Sequence, residues 1–224
     1  MNTDALVDFL QELHANNNKA WFTGNRPRCD SLRADFQTLV ETLITQCSEF
    51  DSALADISPS QAMFRINRDI RFSKDKTPYK TTFSAMLVRG KKSAHGEPGY
   101  YIHIDHDDVL MVAGGAYMPE TPSLTKMRAA IAADVSGFKS IVDAPAVKQL
   151  FGDIGGDALK SVPKEYGADH PAAEYLKLKG YVLFSSTEAS TITADALAPH
   201  IVDRCRAASP LVKFLRKAVA DETK

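Results

Sequence analysis

The stretch 65–80 reads RINRDIRFSKDKTPYK and sets Arg65, Arg68, Arg71, Lys74, Lys76 and Lys80 against only Asp69 and Asp75. Widened to 61–92 it gains Arg89, Lys91 and Lys92, nine basic residues against two acidic ones in a chain whose formal charge is -1. Positive charge held so locally implies an anionic partner for one segment rather than a uniformly basic protein. Arginine offers a planar fork of donors that fits phosphate or carboxylate, and lysine a compact charge. Arg65, Arg71, Lys74, Lys76 and Lys80 can converge, with Tyr79 beside them, if the two ends of the stretch fold together as a hairpin. Arg68 falls in the apolar phase of the pattern. An unbroken strand would turn its guanidinium inward, where desolvation requires a partner or a ligand, whereas a bulge would return it to the polar face. The plain alternative is a solvated charge cluster paired with acidic residues.

His103 and Asp105 form a second group, two residues apart on one predicted strand face, where a carboxylate can orient an imidazole for general-base or metal work. His106, Asp107 and Asp108 adjoin them. No recognised ligand spacing is present, so no metal is expected, and a polar strand edge with its turn accounts for the same residues. The glycine-rich stretch 114–122 matches no phosphate-binding fingerprint and reads as close packing before a helix start. Residues 169–171, Asp-His-Pro, read as a helix cap, with Lys177 and Lys179 near the far end of that helix. Ser73 reads as a turn serine. No nucleophile elbow, zincin or kinase signature occurs, so no catalytic residue is assigned, no cofactor is indicated, and enzymatic activity is left open.

These side chains are positioned by elements whose periods are visible in the sequence. Leu6, Phe9, Leu10 and Leu13 recur at helical spacing from an Asn2 or Thr3 cap to the Asn16–Asn18 run, with Trp21 and Phe22 in the connection. Pro27 suits the first turn of a second helix, whose stripe runs from Leu32 to Cys47. From Ala62 to Phe72 the period becomes two, predicting a strand. Further strands are expected over 79–89, 100–105 and 109–113, joined by loops at 73–78 and 91–96 and a turn at 107–108. Helices follow from Thr121, over 136–142 and 145–151, and from 169–171 to Leu178. A strand at 181–185 and two helices, 194–207 and 210–219, complete the chain. Helices before and after a block of strands predict an α+β fold, with a central, mainly antiparallel meander and helices contributed by both ends.

Length and composition bound the rest. At 224 residues, 44% hydrophobic and 25% charged, the chain suits a globular protein with one substantial core, read here as a single domain over 1–224. Cys29, Cys47 and Cys205 are odd in number and form no CxxC pair, which suits a reduced cytoplasmic setting better than a disulfide framework. The N-terminal stretch lacks the basic and continuous apolar character of an export signal, and no membrane span is expected.

The blocks FLQELHANNNKAWFTGNR, RINRDIRFSKDKTPYKTTF, GYYIHID, GGAYMPE and DHPAAEYLKLKGY follow in this order over nearly the whole chain. Together they resemble domain of unknown function family 2461, and RDIRFSKDKTPYK is the most specific of them. The resemblance implies one intact domain and supplies no catalytic residues, so the functional expectation rests on the charges. It is an electrostatic site for a small phosphate- or carboxylate-bearing ligand on Arg65, Arg68, Arg71, Lys74, Lys76 and Lys80, with Tyr79, His103 and Asp105 nearby. A nucleic-acid-binding module is the alternative, although a pI near 6.6 lacks the expected basic footprint. A protein-interaction or scaffold domain that meets an acidic partner is another.

Overall fold

A computed structural model of the chain describes residues 1–89 and 96–220, so Lys91, Lys92 and His95 lie outside the described residues. Helix α1 (Thr3–Ala15) starts where the Asn2 side chain accepts the Ala5 N–H, and α2 (Lys19–Gly24) where the Asn18 side chain accepts the Trp21 N–H. Helix α3 (Arg26–Ser48) carries Pro27 in its first turn, where a missing N–H costs nothing. A reciprocal capping box of Ser58 and Gln61 opens the short α4 (Pro59–Ala62). Strands β1 (Thr82–Leu87), β2 (Gly99–Asp105) and β3 (Val109–Ala116) follow, and Asp108 takes a φ of 62° in the β2–β3 turn. Next come α5 (Thr121–Ala133), α6 (Val135–Val142), α7 (Pro145–Phe151) and α8 (Ala173–Leu176), then β4 (Tyr181–Glu188) and α9 (Ala194–Val219). The strands pair in the order β1-β2-β3-β4, an antiparallel meander, so the fold is α+β as expected.

The chain divides into two compact units. The first comprises Met1–Leu87, Tyr101–Val112 and Ser186–Asp203. Its core joins the apolar stripes of α1 and α3 to β1, with the Phe36 and Phe83 rings edge-on at 5.7 Å. Each fully buried Leu or Phe contributes about 1.5–3 kcal/mol, which outweighs the weak intrinsic preferences of the short helices. The second unit comprises Val88–Tyr100, Ala113–Ser185 and the chain from Arg204 onward. Phe138 organises it, with its ring against Tyr175, Tyr181 and Phe214 at 5.1, 6.0 and 5.5 Å. Among the described residues no helix is long and apolar enough to cross a membrane, and the three cysteines are buried outside any disulfide.

Four elements differ from expectation for identifiable reasons. The strand predicted over 62–72 is two isolated contacts, Met63 with Ala85 and Asn67 with Tyr79. Arg68 N–H donates to Pro78 C=O at 2.9 Å, and Pro78 has no N–H to return. Asp69 and Asp75 then take the Arg71 and Thr77 N–H groups on their side chains, replacing the ladder with turns. Trp21 and Phe22 lie on α2 rather than in a connection, because the Asn16–Asn18 run both ends α1, at Asn16, and caps a new helix, at Asn18. Helix α8 starts from Ala172 with no side-chain cap, so Asp169 does not cap it, and His170 Nδ1 accepts the Ala172 N–H at 3.1 Å in the turn before it. Residues 194–219 form one helix, not two. Exposed Pro199 and Pro210 put their missing bonds on the water side while the buried stripe from Leu197 to Leu215 continues past both.

Candidate functional site

Tyr79 is the fixed point of the basic segment. The Asn17 side-chain amide donates to Tyr79 C=O at 2.9 Å and accepts the Tyr79 N–H at 3.1 Å, standing in for a strand partner. Phe22 of α2 stacks on the Tyr79 ring, with centroids 3.9 Å apart and planes 18° apart. The Asn16–Asn18 run thus ends α1, pins Tyr79 and caps α2 with successive residues. Lys80 N–H donates to Ile66 C=O at 2.7 Å, which sets the direction in which the Lys80 side chain leaves the chain.

Beside Tyr79 opens a cleft of about 390 Å³ lined by Arg68, Lys80, His14, His106 and the carboxylate of Asp75, with Asn17, Thr77, Thr81 and Thr82 supplying neutral polar groups. The His14 and His106 rings stack at 4.0 Å, brought together by α1 and the turn after β2, where His106 N–H donates to Thr81 C=O. His106 Nδ1 is buried without a hydrogen-bond partner. Arg68 donates to Asp75, to the Thr77 hydroxyl and, at 3.2 Å, to Thr77 C=O. The Thr77 N–H and the Arg68 guanidinium together pull the Asp75 carboxyl down to about 2. Arg68 is therefore half-buried and paired locally, neither driven into the core nor wholly returned to water. Lys80 differs, because no carboxylate among the described residues pairs with it. Its ammonium sits 5.2 Å from the Phe64 ring centroid, and burial, with Arg65 nearby, lowers its pKa. Uncompensated charge on a desolvated wall favours an anion.

The remaining sequence candidates go elsewhere. Arg65 lines a neighbouring cleft of about 290 Å³, where Arg26, Cys29, Asp30 and Arg33 present one face of α3 and Tyr79 forms a shared wall. Burial pushes the Cys29 thiol up to about 11, with Asp30 adding to the effect, so it is a poor nucleophile. Arg71 is exposed, bonded to Asp69 at 2.7 Å and set over Phe72, while Lys76 donates to Ile70 C=O at 2.9 Å and Lys74 faces water. These three lie on the tip of the segment and line neither cleft. His103 and Asp105 share a face of β2 as predicted, with His103 Nε2 3.5 Å from Asp105 Oδ2 and His103 Nδ1 3.3 Å from the Tyr101 hydroxyl. Burial lowers the His103 pKa despite Asp105. Phe64 packs edge-on to Tyr101 at 6.2 Å and carries the Lys80 ammonium over its ring. Asp105, His106 and Asp107 hold ligand-type atoms within 4.8 Å of one another. Asp105 Oδ1, however, already accepts the N–H groups of Asp107 and Val109, so the turn accounts for the cluster.

Residues 5–214 match a family described as a conserved hypothetical protein, DUF2461. The chain belongs to this family. No curated protein and no solved structure matches the chain. The family match takes in every residue of both clefts, although the description names no activity, so chemistry must be argued from geometry. Within this DUF2461 chain the cleft offers two cations for electrostatic capture, hydroxyl and amide groups for orientation, and two imidazoles for proton transfer. Sequence reasoning missed Asn17, Phe22 and His14 as parts of a site, and grouped His106 with His103 and Asp105 rather than with the basic segment. Asn17 and Tyr79 are 62 positions apart, and nothing local announces the pairing. Arg26 and Arg33 carried a usable signal, since positions seven apart on a helix share one face.

Proposed function

We propose that the protein binds a small phosphate- or carboxylate-bearing molecule in the cleft of Arg68, Lys80, His14 and His106. The observation that carries this reading is Lys80, a partly desolvated ammonium that forms no ion pair among the described residues, the cleft's one carboxylate, Asp75, being paired with Arg68. A bound anion would supply that charge. At about 4 Å and an effective dielectric near 20, one such pair is worth about 4 kcal/mol before desolvation, comparable to millimolar binding from a single contact. Arg68 adds a second positive wall held in place by Asp75 and Thr77. His14 and His106 add imidazoles able to exchange a proton with a bound ligand.

A nucleic-acid surface is the second reading, favoured by Phe72, which is 95% exposed with Arg71 over its ring and Lys74 and Lys76 on the same tip. Thermal-shift measurement with phosphorylated metabolites, carboxylates and short oligonucleotides separates the two. A small anion at about 100 times its dissociation constant should stabilise the wild type by about 2.7 kcal/mol and leave Lys80→Gln unmoved. Stabilisation by oligonucleotides alone, lost in Phe72→Ala and steeply salt-dependent, would replace the small-molecule reading.

A further inference from the structure

The second unit holds a larger cavity, of about 590 Å³, whose walls differ in kind. Tyr117, Met118 and Phe184 line it while remaining 65%, 65% and 38% exposed, three of the five large apolar side chains left most open among the described residues. Apolar surface gathered around one concavity, rather than scattered, marks a binding surface. Met118 also adopts a φ of 48°, a left-handed conformation rare for a non-glycine residue, so the backbone bears strain where it presents this side chain. The floor is bare backbone. A Cβ on Gly156 would come within 2.8 Å of Gly180 C=O, and one on Gly180 within 2.9 Å of Ala116 C=O, so neither position admits a side chain.

Charge gathers at one end. Lys179 lines the cavity and has no ion-pair partner among the described residues. Leu124 of α5 lines it too, and one helical turn further along α5 stands Arg128, only 9% exposed. Arg128 Nη2 donates to Leu178 C=O at 2.9 Å, beside Lys179, while its Nε is buried with no hydrogen-bond partner. No carboxylate among the described residues pairs with this guanidinium, which hydrogen-bonds the neutral Tyr181 hydroxyl and has the Tyr166 hydroxyl within its field. The guanidinium is hydrogen-bonded to neutral oxygens but has no counter-charge among the described residues, and an anion in the adjoining cavity would supply one. Asp157, whose C=O accepts the Lys179 N–H at 2.7 Å, also lines the cavity, so it offsets part of the Lys179 charge and opposes ligands of higher negative charge.

We propose that this cavity binds an organic monocarboxylate with an aromatic or aliphatic body. The carboxylate lies at the Lys179 end, within the field of Arg128, and the body packs on Tyr117, Met118 and Phe184. The site is independent of the Lys80 cleft and differs from it in chemistry, since an apolar body contributes here and a second negative charge is opposed.

The test titrates 3-phenylpropionate, its neutral counterpart 3-phenylpropanol, and inorganic phosphate into the whole protein, read by amide ¹H–¹⁵N spectra. The acid should shift the Met118, Gly156 and Gly180 resonances saturably. The alcohol should bind the wild type about tenfold more weakly than the acid does, and exposed Lys179→Gln should weaken the acid by about the same factor, equivalent to about 1.4 kcal/mol. Lys80→Gln should leave the acid's binding unchanged. Equal affinity for acid and alcohol, shifts confined to other residues, or no shift at all would each overturn the proposal. Failure of phosphate to bind the Lys80 cleft would leave it standing.

Discussion

At the scale of single residues, Tyr79 and Lys80 show what the sequence can and cannot convey. The density of arginine and lysine over 65–80 was plain, and Arg68 and Lys80 do meet in one cleft. Which cations remain unpaired depends on partners contributed locally, Asp75 to Arg68 and Asp69 to Arg71, and no count of charges distinguishes them from Lys80. His14 and Asn17 come to the cleft from a helix end far away in sequence and gave no local signal, while His106 comes from the turn after β2. His103 illustrates the opposite case, a legible pair whose burial decides its behaviour. Desolvation outweighs the pull of Asp105, so the folded protein binds this proton less readily than the unfolded chain does. A lowered value means that the stability His103 contributes is present above its ordinary value of 6.5 and is lost as pH falls through the lowered one. Urea denaturation at pH 7.5 and pH 5 should show a loss of stability on acidification that is smaller in His103→Gln, and an equal loss in the two proteins would assign the effect to another group.

At the scale of elements, the helices were the legible part because their ends are written in side chains. Asn2, Pro27 and Pro145 mark the starts of α1, α3 and α7, and Gly152, with a φ of 71°, stops α7. The strand expected over 62–72 failed for a local reason, since alternation describes which face a residue would take but not whether its N–H has already been claimed by an aspartate. Pro78 decided the matter from the other side. Gly115 at the end of β3 is a second place where backbone geometry rules. Its φ is 139°, and a Cβ there would fall 2.0 Å from Tyr181 C=O on β4. Gly115→Ala should therefore destabilise the protein by at least the 1–3 kcal/mol of the backbone strain alone, roughly, with the clash added. A wild-type urea midpoint for that variant would contradict the described β3–β4 approach.

At the scale of the whole molecule, a net charge of -1 conceals the local surplus of positive charge around 61–92. Overall charge sets solubility, while a focused patch sets which small ligands approach. Each of the two units carries a cavity of its own, one polar and cationic, the other apolar with its charge at one end. The composition pointed to the first because charge is countable in a sequence. The second depends on Tyr117, Met118 and Phe184 being left uncovered, which hydrophobic periodicity assigns to a core by default. The most direct test of the central claim is a titration of the wild type with inorganic phosphate, followed by amide ¹H–¹⁵N spectra and repeated with Lys80→Gln. Saturable shifts are expected at the Asn17 side chain, Thr77, Thr81, Thr82 and His106, abolished or moved to much higher phosphate in the variant. Shifts confined to Arg71, Phe72, Lys74 and Lys76, or identical curves for both proteins, would contradict it.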